Sequence, residues 1–212
     1  MHPGHQHGEP GVERHRGQPS GVDPSVDFPP IDILFLCTGN ICRSPMAEAL
    51  LRHHLDARGI PSRVHSAGVL RDGDAASGHG VDILRERGIV LDDHRSRRMT
   101  LEMIRGADLV LGMAREHVRE SVVLAPETFG LSFTLKEIVR RGSETGPRAA
   151  GQSFEEWLAK VHAGRQPSML MGSSRDDDVA DPYGLSRDVY ERTAEELDLL
   201  VLALVDLAWG SV

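Results

Sequence analysis

The stretch Ile31-Asp32-Ile33-Leu34-Phe35-Leu36-Cys37-Thr38-Gly39-Asn40-Ile41-Cys42-Arg43-Ser44-Pro45 decides the fold. Its first six residues form a short, nearly continuous apolar run, the pattern of a strand buried on both faces of a parallel sheet. A loop follows at once, and Ser44-Pro45 then reads as an N-cap with proline at the first helical position. This opens a helix over about residues 45–58, closed by Gly59. Strand, loop and helix in that order are the first half of a βαβ unit.

The pattern repeats outward. Residues 63–66 read as a second strand, 76–87 as a helix ended by Gly88, 107–111 as a third strand and 115–123 as a helix, with a fourth strand near 128–133. Such alternation predicts an α/β fold: an open, mostly parallel four-stranded sheet with helices on both faces. Beyond Thr134 the signal weakens into a short helix (135–141), a Gly/Ser/Pro-rich patch (142–152), a helix (154–162) and a polar loop. From Ser186 to Trp209 a long helix returns, with Val189, Thr193, Leu197, Leu200, Leu204 and Leu207 at helical spacing to pack on the sheet.

The 212 residues are 40% apolar, enough to build a core, and one domain is expected over residues 31–212, with 134–180 its least typical segment. Residues 1–30 hold six of the 12 prolines and four histidines and are expected to be a disordered tail. A formal net charge of -8 argues against non-specific binding to nucleic acid or acidic membrane, since both need a basic surface. The sequence has no long uncharged apolar run and no apolar leader at its start, so a cytoplasmic location is expected. The two cysteines, Cys37 and Cys42, are too few for a disulfide framework and fit a structural zinc site poorly. Neither a metal nor a cofactor is expected.

The loop between strand and helix favours anions. Helix N-terminal N–H groups point outward unpaired, Gly39 permits a tight turn, and successive amides of Thr38, Gly39, Asn40, Ile41 and Cys42 can form a nest around phosphate oxygens. Arg43 adds a planar fork matched to two oxygens at once. At the start of such a cradle, the helix dipole, the amides and the guanidinium all favour thiolate over thiol at Cys37, making it a nucleophile for phosphoryl transfer. An oxygen leaving phosphorus needs a proton, which a carboxylic acid can supply. The run from Asp176 to Asp181 offers four carboxylates and would ordinarily read as a solvated loop. Asp181 stands out, because Pro182 stiffens the chain after it and Tyr183 can stack on an aromatic substrate.

Cys37 and Arg43 with five residues between them, followed by Ser44-Pro45-Met46-Ala47-Glu48, resemble the signature of the low-molecular-weight protein-tyrosine phosphatases. Ser66-Ala67-Gly68 resembles that family's second-strand serine motif, His94-Arg95-Ser96-Arg97 its His/Arg segment, and Asp181-Pro182-Tyr183-Gly184 its acid loop. The resemblance implies a metal-independent enzyme that hydrolyses phosphate monoesters, chiefly protein phosphotyrosine or small aryl phosphates, through a phosphocysteine on Cys37. It also implies that Asn40, Ser44, Ser66 and His94 hold the loop in shape, with Ser44 donating to the Cys37 sulfur. Cys42 lies near enough in sequence to form a protective disulfide with Cys37, or else is a small buried filler. The chain departs from the pattern at Gly184, where many relatives carry a second aromatic, at Thr38, where some carry an apolar side chain, and over 134–180. That segment, with Trp157, is a candidate cover for the pocket.

Two other functions use the same residues. An arsenate reductase would bind arsenate as a phosphate mimic and, with no further cysteines here for an internal relay, would need an external small thiol. A catalytically silent phosphate- or phosphotyrosine-binding regulator would keep the cradle but have no chemical use for Cys37 or Asp181.

Overall fold

The structure is a computed structural model that describes Met1 and residues 30–70 and 72–210. The tail expected over residues 1–30 lies, Met1 and Pro30 aside, outside the described residues. Strands β1 (Ile31–Cys37), β2 (Ser62–Gly68), β3 (Leu109–Gly112) and β4 (Ser132–Thr134) form one parallel sheet in the order β2-β1-β3-β4. The apolar run is therefore the centre of the sheet. Ile33, Leu34, Phe35 and Leu36 are all fully buried, and they alternate between two cores.

Ile33, Phe35 and Cys37 face the larger core, built by helices α1 (Arg43–Ala57), α2 (Gly78–Glu86), α5 (Leu135–Thr145), α6 (Phe154–His162) and α7 (Arg187–Trp209). Leu34 and Leu36 face a smaller one with Ile104 of α3 (Leu101–Gly106) and Ala125, which follows α4 (Arg115–Leu124). Each buried Ile, Leu or Phe contributes about 1.5–3 kcal/mol, and this two-sided burial fixes the sheet between its helices. In α7 the expected stripe is there, with Thr193, Leu197 and Leu204 buried, Leu200 and Leu207 partly so, and Ala194, Val201, Val205 and Ala208 completing the face.

Several local expectations change. Helix α1 begins at Arg43 with Cys42 as its N-cap, so Ser44 is not the cap; its hydroxyl is turned inward to the loop. Helix α3 was not expected, being only six residues long and marked chiefly by Thr100 Oγ1 accepting from Met103 N. Strand β4 is shorter than expected because a 3-10 turn, Pro126–Leu131, occupies the residues before it. Helix α5 runs through Gly142, which the composition placed in a loop. A Cβ there would meet Leu207 at 3.1 Å and Trp157 at 3.2 Å, so this glycine serves close approach rather than helix termination.

Residues 134–180 do not line the pocket. Trp157 is 1% exposed, with its Nε1 donating to Gly146 O, and belongs to the core. Arg165 is buried against Glu137 and lies over the rings of Phe129 and Phe133, tying the same segment to the end of the sheet. What this architecture positions is the switch point: β1 pairs with β2 on one side and β3 on the other, so the loops after β1 and β3 meet at the carboxyl ends of the strands.

Candidate active site

Residues 37–43 wrap into a loop whose carbonyls face outward. Val69 N donates to Cys37 O and Thr38 O, Leu70 N to Thr38 O, Ser77 N to Ile41 O, and His94 Nε2 to Asn40 O at 2.7 Å. Carbonyls engaged in this way leave amides available to the loop centre, as the Asn40 N–H shows by donating to the Cys37 sulfur. Asn40 N and Ser44 Oγ both donate to Cys37 Sγ, at 3.1 and 3.0 Å. The left-handed turn falls on Asn40 (φ 51°) rather than on Gly39, and Asn40 is the one non-glycine residue with positive φ among the described residues.

That strained residue is held on every side. Asn40 Nδ2 donates to Ser44 Oγ (2.9 Å) and Ser66 Oγ (2.7 Å), and its Oδ1 accepts from Arg97 N (3.0 Å). Ser66 in turn donates to Glu48 Oε2 at 2.7 Å, and Arg97 Nε to Ser66 O. Asn40, Ser44, Ser66 and His94 thus converge on the loop. Glu48 and Arg97 join them although no role was assigned to either. Gly68 ends β2 directly under this turn, and a Cβ there would lie 2.9 Å from Asn40 N and 3.0 Å from Gly39 C. Gly68→Ala is expected to cost about 1–3 kcal/mol by overpacking and to lower kcat/KM by at least about tenfold. Denaturant unfolding beside steady-state kinetics checks both, and unchanged activity would mean the loop yields freely.

Arg43, only 4% exposed, reaches out of α1 beneath the loop. Nη1 donates to Val179 O (3.0 Å), and Nη2 donates to Asp181 Oδ2 (2.6 Å) and more weakly to Thr38 Oγ1 (3.4 Å). Its Nε is buried and has no partner among the described residues. An unpartnered guanidinium N–H on a residue that lines the loop's cavity suits an anionic oxygen.

Thr38 Oγ1 also lies 3.0 Å from Nε2 of His117, which sequence reasoning did not single out because it sits 79 positions away on α4. Burial, aided by the charges of Arg43 and Arg119, pushes the His117 pKa down to about 3. The folded state therefore holds it neutral while the unfolded chain binds a proton below its ordinary value near 6.5, so its contribution to stability is present above pH 6.5 and lost as pH falls toward 3. His117→Gln should flatten the loss of stability between pH 7 and pH 5, measured by denaturant titration at each pH.

The cavity above the sulfur, about 140 Å³, is lined by the loop residues Cys37 to Cys42 other than Asn40, by Arg43, and at its mouth by Leu70, Asp181 and Tyr183. Ile41, Leu70 and Tyr183 give it apolar walls. Cys42 is a free thiol whose Sγ is 3.2 Å from Tyr190 Oη; burial pushes its pKa up to about 11, so it stays protonated at neutral pH. Gly184 has φ 75° in a turn closed by Leu185 N donating to Pro182 O, so a side chain there would be strained.

The acidic run is not a solvated loop. Asp176 and Asp181 are exposed, but Asp177 is 4% exposed and bound by Arg115 and Arg140, while Asp178 accepts from the backbone N of Arg115 at 2.8 Å. These partners lie 37 to 63 positions away, which is why no local pattern signalled them. Among the described residues no group of three or more His, Cys, Asp or Glu is placed to hold a metal ion, and no helix is long and apolar enough to cross a membrane.

Comparison with known proteins agrees with this geometry. Residues 32–146 match the family model of low molecular weight phosphotyrosine protein phosphatases. A protein-arginine-phosphatase of Bacillus subtilis is 36% identical over 179 residues, covering 82% of this chain and 94% of its own. The low molecular weight protein-tyrosine-phosphatase Etp of Escherichia coli K12 is 40% identical over 159 residues, covering 75% and 82%. Among solved structures, a low molecular weight protein tyrosine phosphatase from T. tengcongensis superposes with a TM-score of 0.64 at 36% identity, covering 83% of this chain and 98% of its own. The chain belongs to the low molecular weight phosphotyrosine protein phosphatase family, and with it to the metal-independent, cysteine-dependent hydrolases of phosphate monoesters.

Proposed function

We propose that the chain dephosphorylates protein phosphotyrosine, with Cys37 as nucleophile, Arg43 as phosphate clamp and Asp181 as general acid and base. The observation that carries the reading is the convergence of three groups from distant elements. The Cys37 sulfur is held by Asn40 N and Ser44 Oγ, Arg43 stands beside it, and Arg43 Nη2 meets Asp181 Oδ2 at 2.6 Å.

In the first step the Cys37 thiolate attacks phosphorus, the S–P bond forms and the P–O bond to tyrosine breaks. The departing oxygen takes its proton from Asp181. In the second, water attacks phosphorus, gives a proton to the Asp181 carboxylate, and the S–P electrons return to Cys37. Arg43 and the inward amides stabilise the equatorial oxygens in both transition states. A phosphate in the cradle competes with Asp181 for Arg43 Nη2, which frees the carboxyl to face the leaving oxygen.

Relatives include enzymes named for tyrosine and for arginine substrates, so the pocket walls decide the assignment. A phenyl ring gains from the apolar faces of Ile41, Leu70 and Tyr183. The guanidino group of phosphoarginine presents several N–H donors that need acceptors, and the mouth of the pocket offers one carboxylate, Asp181, already committed to proton transfer. Residues 31–212 are assigned as one phosphatase domain, because α7 packs back onto α1, and the cytoplasm as its compartment, where the thiol stays reduced.

The test compares kcat/KM on one peptide carrying phosphotyrosine or phosphoarginine, in chelator-treated reducing buffer. A preference for phosphotyrosine of about tenfold or more supports the assignment. The opposite ratio overturns it, and inactivity on both, with thiol-dependent arsenate reduction, would move the chain to a reductase.

A further inference from the structure

We propose that Asp177, gripped by Arg115 and Arg140, is a positioning residue for the leaving-group proton: it fixes the backbone from which Asp181 reaches the substrate. The inference rests on the reading of Asp181 as the acid. Between Met171 and Ser186 the chain has no helix or strand, yet it must deliver a carboxyl to the pocket. It is fastened instead by three consecutive residues.

Asp177 Oδ2 accepts from Arg115 Nε (3.0 Å) and Nη2 (2.6 Å), and Oδ1 accepts from Arg140 Nη2 (3.0 Å). Asp178 Oδ1 accepts from Arg115 N and Oδ2 from Ser174 N, so it caps α4, whose own N-cap is Ala114 and has no side chain to do so. Val179 N donates to Met113 O, and Val179 O accepts from Arg43 Nη1. Asp181 follows two residues later.

Charge and burial single out Asp177 within this latch. Its side chain is 6% exposed, and burying a carboxylate is costly unless it is fully paired. Burial alone would raise its pKa, but the hydrogen bonds from Arg115 and Arg140 outweigh that and hold it below the ordinary carboxylate range. The paired charge joins the acid loop to α4 through Arg115 and to α5 through Arg140, two elements that do not touch the reacting atoms. With the grip lost, Asp178 and Val179 still hold the chain, but the buried charge no longer fixes where that hold sits against α4 and α5, and a displacement of Asp181 near 1 Å is enough to lower proton transfer by up to about a hundredfold.

The experiment is a leaving-group series of kcat/KM on aryl phosphates, from para-nitrophenyl phosphate to phenyl phosphate, whose phenol has a pKa of about 10 like tyrosine. Good leaving groups need little protonation and poor ones need it fully. Asp177→Asn should lower the phenyl to para-nitrophenyl ratio by about tenfold, with competitive inhibition by inorganic phosphate within about twofold of wild type. Arg140→Gln, which removes one exposed partner, should shift the ratio the same way by about threefold and serves if Asp177→Asn folds poorly. Equal loss on both substrates, or weaker phosphate inhibition in proportion to the lost rate, overturns the positioning role. Asp181→Ala runs alongside as the control: a ratio it leaves unchanged overturns the acid assignment itself, whereas a ratio it collapses while Asp177→Asn does not move it overturns the positioning role alone.

Discussion

Cys37→Ser is expected to abolish turnover, with kcat/KM falling by at least about ten-thousandfold, equivalent to about 5.5 kcal/mol of transition-state stabilisation. The loss is chemical. The sulfur receives two hydrogen bonds, from Asn40 N and Ser44 Oγ, and sulfur is intrinsically the stronger nucleophile. A serine hydroxyl has a much higher pKa, and no group is placed to take its proton as a base, since Ser44 Oγ donates toward position 37 and Asp181 serves the leaving oxygen, on the far side of phosphorus from position 37. The fold should be kept, because sulfur and oxygen differ little in size and Cys37 ends a strand already fixed by its neighbours. Competitive inhibition by inorganic phosphate should therefore remain. Hydrolysis of para-nitrophenyl phosphate and of a phosphotyrosine peptide under reducing conditions checks the first claim and thermal unfolding the second. Residual activity within about tenfold of wild type would identify another nucleophile.

Arg43→Lys should lower kcat/KM by about a hundredfold to a thousandfold although it keeps the positive charge. Arg43 does three things that a single ammonium cannot do together. It holds Val179 O with Nη1, meets Asp181 and Thr38 with Nη2, and keeps Nε for the cradle. Lysine offers one compact point charge, so either the acid loop or the phosphate loses its donor. Unlike Cys37→Ser, this substitution should also weaken inhibition by phosphate. It should destabilise the fold by about 1–3 kcal/mol through the unpaired carbonyl of Val179. A lysine variant with near-wild-type kinetics would show that charge alone suffices and that the planar fork is dispensable.

The loop was readable because its chemistry is local. Cys37, Asn40, Arg43 and Ser44 fall within eight residues, and a buried strand followed directly by a helix leaves the chain between them few shapes. Asp181 stood out from the other carboxylates of its run because proline and tyrosine follow it. The helix spanning 154–162 begins on a capping box of Ser153 and Glu156, a start signal contained within four residues. Ser44 misled for the opposite reason. A serine before proline is a good N-cap locally, but one buried donor, Asn40 Nδ2, and one buried acceptor, Cys37 Sγ, take its hydroxyl instead.

By itself, then, the sequence determined the parallel sheet and the loop after its first strand, and it singled out Cys37, Arg43 and Asp181 as the candidates for nucleophile, clamp and acid, since each depends on residues adjacent in the chain or on the alternation of apolar segments. Only the tertiary structure decided what supports them. Glu48 and Arg97 complete the Asn40 network, His117 meets Thr38, and Asp177 and Asp178 turn an acidic run into the anchor of the acid loop. The physical reason is the same in each case: a charged or polar side chain is neutralised by whichever partner burial brings to it, and those partners lie 18 to 79 residues away, beyond the reach of any local pattern.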